Sequence, residues 1–192
     1  MIRSLYDWTL ALAQHPRALW ALALVAFVES SVFPIPPDIL MIPMIVAAPR
    51  RAFLIAAVAS VSSVLGGMLG YGIGLYLYDS VGLPVLEFYG KTGQFETFRT
   101  SYNDWGAWAV LIAGVTPFPY KVITILSGAT GLSLPVFMVA SVVARGLRFF
   151  VVAALLWQFG APIRDFIERR LGLMFTLAIA LLLGGFAAVR YL

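Results

Sequence analysis

The chain contains no cysteine, so no disulfide framework and no thiolate metal site can form, and the redox compartment is unreadable from it. It has one histidine, His15, placed before the first apolar run as a surface residue. The serines therefore lack a histidine base, which argues against intramembrane hydrolysis and against an enzyme altogether. Charge is scarce as well: charged residues are 11% of 192, against 61% hydrophobic, with a mean hydropathy of +0.94. That leaves too little polar surface to cover a soluble globule, and an integral membrane protein follows. No basic run with interleaved aromatics is present, so the net charge of +4 points to anionic lipid and not to nucleic acid. No cleavable signal peptide is expected, because the first apolar run leads into Pro34 without a small-residue cleavage site. Neither a metal nor a cofactor is expected.

What is present is an apolar chain broken twice in the same way. Phe33-Pro34-Ile35-Pro36-Pro37-Asp38 ends on an acid, and Thr116-Pro117-Phe118-Pro119-Tyr120-Lys121 repeats the Pro-x-Pro spacing and ends on a base. Residues 2–14 are short and mixed, and read as an interfacial amphipathic helix. Residues 18–33 would reach only about 24 Å as a helix, short of a bilayer core of roughly 30 Å. The prolines then forbid a regular helix, and such a break at membrane depth must be buried in protein or line a wet cavity. Residues 18–48 are therefore expected to form a re-entrant hairpin, with the Pro34, Pro36 and Pro37 break at its tip. A full span follows at 52–78, whose Gly66, Gly70 and Gly74 lie on one face that permits close packing.

The order then repeats. Residues 79–104 are the most polar stretch and read as aqueous or interfacial, 105–131 as a second hairpin broken at Pro117 and Pro119, and 134–158 as a second span. A basic junction at Arg164, Arg169 and Arg170 precedes a last span over 172–190. Each unit holds an odd number of crossings, so the second is inverted relative to the first. The expected fold is an all-α polytopic membrane protein with one membrane domain over 1–192. Repeat 1 covers 1–78 and repeat 2 covers 79–158, each an interfacial helix, a re-entrant hairpin and a transmembrane helix, followed by a C-terminal transmembrane helix. Seven cationic residues fall on one side and three on the other, which makes the N-terminus cytoplasmic; the expected location is the plasma (inner) membrane of a prokaryote. A kinked single crossing at each break gives the same charge count, and hairpins are favoured on length. Most tryptophans, including Trp20, Trp105, Trp108 and Trp157, are expected as interface anchors.

Five charges lie deep. Glu29 follows Arg17 by twelve residues, Asp38 sits at the first break and Lys121 at the second, while Arg145 is near the middle of its span and Arg148 one turn beyond. Charges at this depth cost several kcal/mol unless paired or hydrated. Two uses are open: structural ion pairs that hold the repeats together, or a polar pathway. In the pathway, Glu29 and Asp38 exchange protons or tune cavity charge, Lys121, Arg145 and Arg148 hold an anionic headgroup, and Ser30, Ser31, Thr116 and Thr124 form a hydroxyl lining.

With these residues in view the sequence resembles the DedA family, also called the SNARE-associated or VTT-domain family, closest to its YqaA-like branch. The resemblance rests on Phe27-Val28-Glu29-Ser30-Ser31, Pro34 to Asp38, Thr116 to Thr124 with Ser127-Gly128, and Arg145-Gly146-Leu147-Arg148-Phe149-Phe150, covering roughly residues 20–160. It implies two facing re-entrant loops and movement of lipids between leaflets, as a scramblase or as an importer of polyprenyl-phosphate carrier lipid, in some members with proton dependence. It also implies that Glu29 and Asp38 match the family's membrane-embedded acids, and Lys121 the base after the second break. Many members carry two arginines around that break; here Val115 and Lys121 stand in those places. The leading expectation is a transporter of phospho-lipids whose partners are membrane lipids, anionic headgroups and protons, with an oligomer left open. A proton-coupled small-ion or solute transporter and a noncatalytic membrane scaffold are the alternatives. Replacing Glu29 by Gln would separate transporter from scaffold, by loss of transport or loss of folding.

Overall fold

A computed structural model describes residues 17–33, 36–116, 118–160 and 162. The expected interfacial helix at 2–14, His15, Pro34, Pro117, the basic junction and the span at 172–190 lie outside the described residues. Everything described is helix or short connection, in the order α1 (Ala18–Ser31), α2 (Asp38–Ala47), a 3-10 turn (Pro49–Arg51), α3 (Ala52–Leu77), a π-turn (Tyr78–Gly82), α4 (Leu83–Phe88), α5 (Thr92–Val115), α6 (Tyr120–Ala129) and α7 (Leu134–Gly160).

Two helical stretches are long and apolar enough to cross a membrane: Pro49–Phe88, with mean hydropathy 2.1, and Leu134–Gly160, with 1.9. α1 and α2 have 14 and 10 residues, about 21 and 15 Å of rise, and neither could cross alone. Large apolar side chains stand exposed along the bundle, including Trp20, Leu24, Val61, Val139 and Val142. In water such a belt would drive aggregation, whereas against acyl chains it costs nothing.

The elements start and stop where the sequence supplies the chemistry. Thr116, which precedes a proline, is extended at ψ 167°, so α5 ends there. Gly90 (φ 63°) and Gly131 (φ 67°) reverse the chain after α4 and α6 in left-handed conformations that a side chain would resist. At both, the residue after the glycine bonds back five positions, Lys91 to Leu86 and Leu132 to Ser127.

The polar stretch 79–104 is divided between two helical stretches. The helix of α3 runs on through the π-turn into α4, where Pro84 lacks the N–H of a regular turn, and the break comes at Gly90. From Thr92 the chain is helical without interruption to Val115. Thr97, Thr100 and Ser101 turn their hydroxyls back onto carbonyls four residues earlier, so these three hydroxyls are satisfied within α5.

α3 is the axis of the packing. A methyl placed on Gly66 would run into the Phe27 carbonyl of α1, and one on Gly74 into the Ile125 carbonyl of α6. Gly66 and Gly74 are therefore contacts between backbones, while Gly70, between them, makes room for the Thr124 side chain of α6. One apolar cluster joins Ala18 and Leu22 of α1, Met44 and Ile45 of α2, Ala52 and Ile55 of α3 and Phe149, Ala153 and Leu156 of α7. A second joins Tyr71 of α3, Tyr102, Val110 and Ala113 of α5, Tyr120 and Ile123 of α6 and Phe137 and Ala140 of α7. α3 and α7 thread both clusters, and α1, α2 and α7 carry Glu29, Asp38, Arg145 and Arg148.

Candidate functional site

The four charges on α1, α2 and α7 meet as two ion pairs. Arg145 donates from Nη2 to Glu29 Oε2 at 2.8 Å, and Arg148 donates from Nη2 to Asp38 Oδ2 at 2.7 Å. The arginines stand three positions apart on α7, so both guanidinium groups project from one side of it. Phe149 lies beneath both, its ring centroid 4.7 Å from the Arg145 guanidinium carbon and 6.0 Å from that of Arg148.

The pairs differ in access. Arg145 is 1% exposed and Glu29 14%. Arg145 is also held by Ser63 of α3, whose Oγ accepts from its Nε, and its guanidinium carbon lies 4.7 Å from the Tyr120 ring centroid. Ser63 Oγ is 2.6 Å from Ser30 Oγ, and Ser30 donates to Glu29 Oε2 at 3.1 Å. Donors and acceptors close a ring through Arg145, Ser63, Ser30 and Glu29. Since Ser63 accepts from the guanidinium, its own proton is free for Ser30, and that of Ser30 for the carboxylate. Every hydrogen in the ring points toward the negative charge. Arg145 Nη1 has no hydrogen-bond acceptor among the described residues.

Arg148 and Asp38 are 20% and 22% exposed. Arg148 Nη1 donates to the Thr116 carbonyl at 3.0 Å, so one arm of its fork is tethered to the end of α5. Both charges line a cleft of about 480 Å³ whose other walls are Val115, Leu147, Val151 and Val152. The arrangement is amphiphilic: a charge pair at one place on an otherwise aliphatic wall.

The remaining residues singled out from the sequence are spread around this centre. Lys121 Nζ reaches the Val32 carbonyl at 3.5 Å, a long contact linking the flanks of the two breaks. Thr124 donates from Oγ1 to the Ser30 carbonyl at 3.0 Å, a second link of the same kind. Ser31 turns back onto Phe27 and Val28 within α1. Ser30, Ser31 and Thr124 are buried between helices and do not stand on the cleft wall, while Thr116 contributes its carbonyl. Pro36 and Pro37 precede α2, and Pro119 precedes α6. Ser63 and Ser141 were not singled out from sequence, and Tyr120 and Phe149 stood there only as members of the quoted motifs, without a role. In the sequence nothing sets Ser63 apart from Ser60 and Ser62 of the same helix. Tyr120 donates its hydroxyl to Ser141, which fixes the ring that Arg145 rests on.

Residues 35–158 match the VTT domain, and that stretch holds both arginines and Asp38. The chain belongs to the VTT-domain (DedA) family. A protein of Haemophilus influenzae carrying the name "Uncharacterized protein" is 35% identical over 169 residues, covering 86% of this chain and 88% of its own. A homolog from Histophilus somni, also named as uncharacterized, is 36% identical over 169 residues with the same coverage. No solved structure matches the chain. The VTT-domain family is membrane-associated, in agreement with the two apolar helices long enough to span.

Proposed function

We propose that this VTT-domain protein moves phospho-lipids, either phospholipid or polyprenyl-phosphate carrier, between the leaflets of a prokaryotic plasma membrane. The observation that carries the reading is the Asp38–Arg148 pair on the wall of an aliphatic cleft. A lipid phosphate accepts hydrogen bonds from the guanidinium fork, and the aliphatic walls take the adjoining chain. Arg145 and Glu29 have a different role in this proposal. Closed into a ring and nearly sealed, they lock α1, α3 and α7 together, which absorbs the scaffold alternative into one part of the site. Lys121 steadies the meeting of the two breaks. Protons take part, if transport is coupled, through the acids at this centre.

The architecture proposed for this activity is two re-entrant hairpins in inverted repeats, with the N-terminus cytoplasmic. The support for the first hairpin is that Ala18, at the start of α1, shares a cluster with Ile45, near the end of α2. For the second, Arg99 and Asn103 in the first half of α5 both donate to the Thr130 carbonyl at the end of α6. Approach of the two arms of each pair away from its break supports a down-and-back path.

Fluorescent-lipid exchange in liposomes carrying the purified protein tests the reading. Wild type exchanges lipid, and Arg148→Ala, purified as a folded protein, loses most of that rate. Wild-type liposomes that exchange neither phospholipid nor polyprenyl phosphate, with or without a pH gradient, refute it.

A further inference from the structure

We infer that the start of α3 and the last three turns of α7 form a binding site for an anionic phospholipid, held by Arg50 and Arg51 beside a shelf made of Phe53, Phe150 and Trp157. The site is separate from the cleft and does not rest on the lipid-moving reading, because what is inferred is binding.

Arg50 and Arg51 belong to the 3-10 turn that leads into α3, and both are exposed. Pro49 presets the first φ of that turn, and the Arg51 N–H closes it on the Ala48 carbonyl at 2.9 Å. Neither guanidinium has a hydrogen-bond or ion-pair partner among the described residues. The described acids are elsewhere: Glu29 and Asp38 are paired to α7, Glu96 to Arg99, and Asp79, Glu87 and Asp104 lie in the stretch that follows the other end of α3. Two adjacent positive charges thus stand without a counter-ion.

The surface next to them is aromatic. Residues three apart in a 3-10 turn lie nearly above one another, which puts Arg50 on the side of the chain that carries Phe53. The Phe53 ring centroid is 6.3 Å from that of Phe150 and 5.9 Å from that of Trp157, and all three rings are exposed. Phe150 and Trp157 are seven positions apart and share a face of α7, while Phe150 is turned about 200° from Arg148, so shelf and cleft lie on different faces. Ala18, Ala52 and Leu156 share one cluster, which places the shelf at the end of the bundle where α1 and α3 begin.

A phosphodiester with net negative charge accepts forked hydrogen bonds from these guanidinium groups, and the rings give its glycerol and acyl chains a rigid apolar wall. The Trp157 indole N–H, with no acceptor among the described residues, is free to donate to an ester carbonyl of the same lipid. A zwitterionic headgroup brings an ammonium toward two uncompensated cations and loses part of that gain. Basic residues at a membrane surface attract anionic lipid by charge alone; the fixed turn and the rings add the geometry of a site.

The experiment uses the full chain in a neutral detergent, with cardiolipin, phosphatidylglycerol and phosphatidylethanolamine added separately and bound lipid counted by native mass spectrometry. Cardiolipin and phosphatidylglycerol are expected to bind about tenfold more tightly than phosphatidylethanolamine, equivalent to roughly 1.4 kcal/mol. Arg50→Gln with Arg51→Gln should lose most of that preference, and both residues are exposed, so the variant should melt as wild type does without lipid. Arg50→Lys with Arg51→Lys keeps the charge but not the fork and should fall between the two. A lysine pair equal to wild type would show attraction by charge alone and overturn the site. Phe53→Leu with Trp157→Leu should weaken binding of the anionic lipids severalfold, and unchanged binding would overturn the shelf. Lys91→Gln, at the other end of the bundle, should keep the preference; a loss as large as that of the glutamine pair would overturn the assignment. So would equal affinity of wild type for the three lipids. Preference lost in Arg148→Ala and kept in the glutamine pair would move the site to the cleft and overturn it here. Glycerol phosphate should not displace bound lipid; displacement would mean a site for free phosphate. Because binding alone is read, a failure here leaves the transport reading untouched, and a failure of lipid exchange leaves this site standing.

Discussion

Removing the charge of Glu29 should destabilise the protein more than removing the charge of Asp38, although both are carboxylates paired to an arginine on α7. In Glu29→Gln the Arg145 guanidinium, 1% exposed, keeps its positive charge with no counter-ion beside it, and its Nη1 already lacks an acceptor. Breaking a buried pair from one side costs about 3–5 kcal/mol, and a glutamine carbonyl that still accepts from Nη2 returns part of that, leaving about 2–3 kcal/mol. In Asp38→Asn the freed Arg148 is 20% exposed and retains the Thr116 carbonyl, so the cost should be about 1 kcal/mol or less. The difference, about 1.5 kcal/mol, is roughly tenfold in the unfolding equilibrium. Denaturant unfolding of the full chain in one detergent at fixed lipid content measures it. Removing both members of the sealed pair, Glu29→Gln with Arg145→Met, should recover stability relative to Glu29→Gln alone, since no buried charge is then stranded. Equal losses for Glu29→Gln and Asp38→Asn, or a double variant less stable than the single one, would refute the distinction between a locking pair and an accessible pair. A consequence is that Glu29→Gln reports on folding, and Asp38 is the cleaner position at which to probe transport.

Ser63→Ala leaves the Arg145 Nε donor without its acceptor in a buried site, and should cost about 1–3 kcal/mol in the same unfolding assay. A stability equal to wild type would show that the ring through Ser30 and Ser63 contributes nothing. Gly74→Ala drives a methyl into the Ile125 carbonyl of α6, and overpacking of this kind costs about 1–3 kcal/mol, because backbone cannot step aside as a side chain can. Gly72→Ala, two residues away, meets no atom within 4 Å and should be neutral or gain up to about 1 kcal/mol from helix propensity. Melting temperatures of the two variants that shift equally would contradict the backbone-contact assignment.

The membrane class, the two proline breaks and the set of deep charges were all legible in the sequence, because each is a matter of composition or local chain chemistry. Proline removes an N–H wherever it stands, and a carboxylate halfway along an apolar run is anomalous in any fold. The three glycines of α3 were legible as a close-packing face by spacing alone. The extent of α5 was not, because Glu96, Arg99 and Asp104 read as a solvated stretch, while the hydroxyls of Thr97, Thr100 and Ser101 satisfy themselves along one helix. Ser63 was illegible for a related reason: a serine in an apolar helix is common, and only the residue across the helix interface shows what it is for.

By itself the sequence determined that this chain is a membrane protein, that its backbone breaks at two matched places, and that two acids and three bases in or beside apolar runs call for partners. Burial cost sets that last requirement regardless of fold. Which acid meets which base was decided by tertiary structure alone. Arg145 and Arg148 are a single turn apart and indistinguishable in sequence. Yet packing encloses one between α1, α3 and the Tyr120 and Phe149 rings, and leaves the other on a cleft wall. Exposure is a property of what surrounds a side chain, and around Arg145 those surroundings include α1 and α3, whose contacting residues lie more than eighty positions away in the chain.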